Sequence, residues 1–211
     1  FFFKQKTAYE IPKRDWSSDV CSSDLTRVWG ARMAALTPIL GKPTDTVFHA
    51  TTPFQLGGSA DVVPFPNGAS GMTYVTAELT GGDVGQQPSS LGHYELMICA
   101  RQELPKAADF ISRLACYTCE AELEAGQTMD IGEFFGDETL RAVLFAHPEE
   151  QPVHFEFLGQ RFHLLLCVGI TPEDLAFAHS QSSDELLALL KQNRVFPYTT
   201  PGRPSVPLPA T

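Results

Sequence analysis

Cys116-Tyr117-Thr118-Cys119 places two thiols at i and i+3, the spacing of a zinc half-site or a redox pair, on one face of a helix. A redox pair works best at a helix N-terminus, where the dipole lowers the thiol pKa, but this pair lies about three turns into a helix opened by Pro105. Zinc needs further ligands, and Cys99 and Cys167 stand alone on predicted strands. Free cysteine is among the most buried residue types, so the favoured expectation is structural core thiols. Zinc or redox chemistry at Cys116 and Cys119 stays as the alternative.

The other chemistry-bearing residues converge on nothing in sequence. His49, His93, His147, His154, His163 and His179 are scattered without the spacing of a metal site, and packing or surface roles are expected for them. Gly81-Gly82-Asp83-Val84-Gly85 lacks the lysine and hydroxyl of a phosphate loop, and Gly68-Ala69-Ser70-Gly71 lacks the spacing of a nucleophile elbow. Glu120, Glu122 and Glu124, with Glu149 and Glu150, read as solvated surface that could also form a face for a basic partner. No active site assembles from this inventory. The expectation is a binding protein, not an enzyme, with no cofactor and no metal.

The elements that would hold these residues belong to one globular domain. The 211 residues are 43% hydrophobic, which suffices for a core, and no apolar run approaches the roughly 18 residues of a membrane helix. A net charge of −10 disfavours phosphate backbones and anionic lipid, so neither nucleic acid nor membrane is expected as a partner, and a basic protein is favoured.

Residues 1–25 read differently from the rest. Phe3–Ile11 and Arg14–Leu25 resemble a translation of the fixed arms of short-read sequencing adapters, with room for about eight barcode bases between them. The segment is expected to have no native role, and the native start is expected to be missing. Setting it aside removes Cys21 and leaves the net charge at −10.

From Thr26 the periodicity of Val28, Trp29, Met33, Leu36, Ile39 and Leu40 predicts a helix ending at Gly41, with Pro38 weakening its last turn. Strands are predicted over 46–50, 62–65, 72–79 and 93–100, and a long mobile hairpin loop over 80–91. Pro105 opens a helix with Phe110, Ile111, Leu114, Thr118 and Ala121 on one face, closed by Gly126. Further strands are predicted over 128–131, 140–145, 153–157 and 160–168, the last two joined as a tight hairpin at Leu158-Gly159. Thr171-Pro172-Glu173-Asp174 and a capping box at Ser182 and Glu185 predict two short tandem helices. The proline-rich residues 201–211 predict an extended tail. Together these give an α+β fold, a single domain with a mixed, largely antiparallel sheet and helices packed on it.

The order of these elements carries a resemblance. The run from Phe162 through Val168-Gly169-Ile170-Thr171-Pro172-Glu173-Asp174 to His179, the helix from Asp184 to Leu190, and Thr200 to Val206 are similar to the closing half of the suppressor-of-fused domain. Tyr74–Leu79, His93–Leu96 and Leu114–Tyr117 resemble its central strands and the helix end that follows. The resemblance covers about residues 36–206; with the adapter-like head and the proline-rich end, the expected division is 1–25, a domain over 26–200 and a tail over 201–211.

The resemblance implies a protein-binding domain without catalysis. Animal members pair it with a second domain and clamp a peptide by strand addition; single-domain bacterial members act as immunity proteins that neutralise cognate toxins. An acidic single domain fits the second role, with a basic toxin domain as partner and a cytoplasmic location. Tyr117 takes the position of a tyrosine near the family's peptide surface, whereas Gln127 stands where an acidic residue is expected. Tyr117, Gln127, Glu120 and Glu124 are therefore the candidate protein-binding residues, with a half-buried packing role for Tyr117 as the alternative. An intracellular scaffold that binds a β-strand peptide is the other reading within the same class.

Overall fold

The computed structural model describes residues 18–209 apart from 53, 70, 82–84, 137–138 and 150, with side chains described from residue 27 onward. The adapter reading of 1–25 lies outside the described residues for 1–17 and outside the described side chains for 18–25. The helix expected from Thr26 is the larger part of α1 (Ser18–Leu40), and Pro38 lies inside it without ending it. Gly41 closes it at φ 85°, donating its amide to the Thr37 carbonyl at 2.9 Å.

Among the described residues seven strands form one sheet. They are β1 (Val62–Asn67), β2 (Gly71–Thr76), β3 (Tyr94–Ala100), β4 (Thr128–Asp130), β5 (Ala142–Ala146), β6 (His154–Phe157) and β7 (Gln160–Ile170), in the order β1-β2-β3-β7-β5-β4, with β6 also on β7. Among the described strands only β3 and β7 pair in parallel and every other ladder is antiparallel; one isolated parallel bridge joins Cys99 to Tyr198. The sheet is mixed and largely antiparallel, in a single α+β domain.

Alternation of side chains across β7 divides the core in two. Leu164, Leu166, Val168 and Ile170 face α1, α3 (Pro172–Ser180) and α4 (Ser183–Gln192), burying Leu36, Phe177, Leu186 and Leu190. Leu165 and Cys167 face the other way, toward Phe110, Ile111 and Leu114 of α2 (Pro105–Tyr117).

Several elements differ from the pattern-based expectation, each for a local reason. The strand expected over 46–50 is reduced to one antiparallel bridge between Phe48 and Val62. β2 ends at Thr76 because the chain turns onto Glu95, which is fully buried. Glu95 accepts the Leu79 and Thr80 amides and the Thr76 and Thr80 hydroxyls. Arg32 of α1 lies 3.7 Å from the same carboxylate, so one buried anion joins helix to sheet. α2 stops at Tyr117 because the Thr118 hydroxyl donates back to the Ala115 carbonyl at 2.7 Å. Leu123, not Ala121, then covers that side of the core.

The C-terminal signals are realised with one exchange. Thr171 and Asp174 form a full reciprocal capping box on α3; on α4, Ser182 accepts the Glu185 amide. Leu158 and Gly159 take φ values of 50° and 74°, the left-handed pair a two-residue hairpin requires. Residues 201–208 have no regular secondary structure, yet Arg203 and Val206 are buried against the core.

Candidate functional site

All four candidate residues lie on the chain that leaves α2. Tyr117 is 44% exposed at the helix end, so it is not a core ring, and Glu120 is exposed in the turn that follows. Glu124 donates its amide to Gln127 Oε1 at 3.2 Å, and Gln127 exchanges backbone hydrogen bonds with Phe145 through its own carbonyl and the Gly126 amide. The segment is thereby continued into the sheet, where β4 begins.

A second segment is stitched to it. The Gln87 amide donates to the Thr118 carbonyl at 2.8 Å and its side chain to the Cys119 carbonyl at 3.3 Å. Ser90 donates both its amide and its hydroxyl to the Glu124 carboxylate. Leu91, 41% exposed, stands at the tip of this loop. The loop is internally closed as well: Ser89 and Gly92 exchange backbone hydrogen bonds, and buried Gln86 uses its amide group as a surrogate strand partner for Tyr94. The loop expected to be mobile over 80–91 is, from Gln86 onward, a hydrogen-bonded structure.

The thiols divide. Cys99 and Cys167 are buried, and burial raises both, Cys99 to about 11, which makes them inert. Cys116 is exposed and donates to the Gly58 carbonyl at 3.3 Å, so the core-thiol expectation fails there. The reason is geometric: with the helix ending at Tyr117, residue 116 lies on the outer side of the last turn while Ala115 faces inward. Cys119 lies beyond the helix, and burial first, then Cys116 and Glu120, raise its pKa, the reverse of thiol activation. Among the described residues no three His, Cys, Asp or Glu side chains are placed to hold a metal.

Beneath the stitched loop lies a group that sequence spacing did not reveal. His154 and His163 are register partners on β6 and β7, with ring centroids 6.1 Å apart, and Tyr94 flanks His163 at 5.4 Å on the other side. His147, one residue past β5, completes the group. The Nδ1 atoms of all three histidines are buried without a hydrogen-bond partner. Ser89 Oγ lies 3.0 Å from the Gly92 carbonyl and 3.3 Å from His163 Nε2. With its one proton given to Gly92, Ser89 accepts from Nε2–H, leaving His163 Nδ1 as a bare lone pair. Adding a proton at Nδ1 would bury an unpaired N–H, so burial lowers the His163 pKa to about 4, with His154 and His147 adding to the effect and Glu124 and the His93 backbone opposing it. Burial lowers His147 too, again opposed by Glu124. The signal for part of this group was present: a two-residue turn at Leu158-Gly159 fixes the register that sets His154 opposite His163.

No curated protein matches the chain. Among solved structures, one described as the Sufu-Fu complex aligns with a TM-score of 0.62 at 13% sequence identity, covering 89% of this chain and 91% of that one. The crystal structure of Drosophila Suppressor of Fused aligns with a TM-score of 0.57 at 14% identity, over 74% of this chain and 44% of that one. At these identities the likeness is one of fold. The family profile of the Suppressor of fused protein matches residues 60–204, well over half of the chain, and the chain belongs to that family.

Proposed function

We propose that this chain is a protein-binding domain without catalysis of its own, acting as an immunity protein that covers a basic toxin domain through the surface built by 117–127 and the loop 86–92. The observation that carries the reading is the exposure of Tyr117 beside Glu120, Glu124 and Gln127, with Leu91 presented from the stitched loop. Exposed aromatic and aliphatic anchors with flanking carboxylates suit a partner whose contact face is cationic. A net charge of −10 adds long-range attraction, which chiefly speeds association. The solved relative in complex with Fu supports protein binding as the general mode.

A neighbouring observation favours a second reading. β4 closes the strand order and pairs only with β5 among the described strands, directly after Gln127. A scaffold that adds a partner's β-strand at this edge would use the same surface.

Co-expression with a toxin domain encoded beside the gene tests the first reading. Growth rescue by the wild-type chain, and its loss with Tyr117→Ala plus Glu124→Gln, is expected, together with at least tenfold weaker binding of the purified pair. Absence of rescue and of binding to any adjacent basic toxin domain overturns it.

A further inference from the structure

We propose that His163, with His147 beside it, forms a proton-sensitive latch that holds the loop 86–92 on the sheet at neutral pH and releases it on mild acidification. The latch is a matter of what the loop covers. Ser89 sits on His163 Nε2, and Ser90 is held by Glu124, the carboxylate that bears on both His147 and His163. Closed, the loop keeps His163 only 1% exposed, with its Nδ1 buried and unpartnered. Opened, it returns the His163 imidazole to water, where it takes up a proton at its ordinary pKa.

The groups facing the cluster set the direction. Among the described residues Glu124, from the segment after α2, is the one charged group bearing on it; Tyr94 from β3 is neutral, its pKa raised by burial, and His93 beside it meets Gln86 Oε1 of the loop at 3.1 Å through Nδ1. Glu156 and Arg161 form the next register pair on the same face of the β6–β7 hairpin and offset one another. Uptake of a proton by both His147 and His163 sets like charges near one another, and any cation formed at either competes with Ser90 for Glu124. Both effects favour the open loop. The opening equilibrium therefore rises with acidity through the window between the ordinary histidine pKa and the lowered one.

The consequence for partner binding rests on the surface proposed above, because the loop carries Leu91 and fixes Glu124; the latch itself does not rest on it. Backbone amide exchange on the full chain at pH 7.5 and 5.5, corrected for intrinsic rates, tests it directly. For His163 alone, the opening constant of 89–92 is expected to rise about tenfold between the two pH values, from its lowered pKa of about 4 against 6.5 in water. Amides of α4 that exchange by local opening, at a cost well below the global stability, are expected to show no such rise, and His163→Gln to abolish the rise in the loop. An unchanged loop constant, an equal rise in the locally opening α4 amides, or a rise that persists in His163→Gln overturns the latch. Imidazole C2-proton titration of the wild-type chain is a second readout that needs no variant. A His163 that titrates near 6.5 in the folded chain overturns the proposal, and one that titrates well below supports it. Binding to a toxin domain is a separate readout, so loss of either proposal is seen independently of the other.

Discussion

Asp174 and Arg203 are joined at 2.6 Å across 29 residues, both almost wholly buried. Asp174 also completes the α3 capping box through the Thr171 amide and accepts the Val206 amide, so one carboxylate ties the start of α3 to the closing segment. Arg203 reaches the Gly169 carbonyl as well. Removing one partner of such a pair leaves the other charged and unmatched. Arg203→Ala is expected to destabilise the fold by about 3–5 kcal/mol, and Asp174→Ala by at least as much, read by urea denaturation. A cost below about 1 kcal/mol for Arg203→Ala would show that water reaches Asp174 and that the tail is not part of the fold.

Gly169 and Thr199 are fitted to one another where β3 and β7 part. Their parallel pairing runs to Met97 and Leu166, and beyond it Thr199 fills in, donating its amide to the Cys99 carbonyl and accepting the Gly169 amide on its hydroxyl at 2.8 Å. A Cβ at residue 169 would lie 2.8 Å from Thr199 Cγ2 and 2.9 Å from Leu140 Cδ1. Gly169→Ala is expected to cost about 1–3 kcal/mol. Thr199→Ser deletes the clashing methyl and keeps the hydroxyl, so the double variant is expected to recover part of that loss. Strict additivity in a double-mutant cycle by urea denaturation would contradict it.

These two sites show what a sequence carries and what it withholds. The capping string at Thr171, the hairpin at Leu158-Gly159 and the helix opened by Pro105 are local signals, set by hydroxyl, left-handed and missing-amide chemistry, and all appear where expected. Glu95 gave no such signal, because nothing near it in sequence reveals that Arg32 and four donors from the β2 end converge on it. The candidate surface was half legible: Tyr117, Glu120, Glu124 and Gln127 follow one another along the chain. The loop that joins them through Gln87 and Ser90 lies about thirty residues away, and only the tertiary fold brings it there.

The thiols are expected to react in three classes. With Cys21 replaced by serine, so that only the described thiols report, Cys116 should be modified rapidly by an aromatic disulfide reagent, and Cys119 more slowly because it is half-buried with a raised pKa. Cys99 and Cys167 should react only on unfolding. Protection of both Cys116 and Cys119, lifted by a chelator, would instead favour the zinc reading of that pair.

Global stability should fall with acid through the histidine group. His163 has a folded pKa of about 4, below its unfolded value near 6.5, so its contribution is fully present above pH 6.5 and is lost progressively as pH falls toward 4. His147 shifts in the same direction and acts with the same sign. Glu95 acts oppositely: burial raises its pKa in the folded chain, so its contribution grows as pH falls. Comparison of the wild-type chain with His163→Gln cancels the Glu95 effect. Between pH 7.5 and 5.5 the wild type is expected to lose about 1 kcal/mol more than the variant in urea denaturation, because only its unfolded state takes up a proton at residue 163. Parallel pH profiles for the two chains would mean that His163 titrates normally in the folded state.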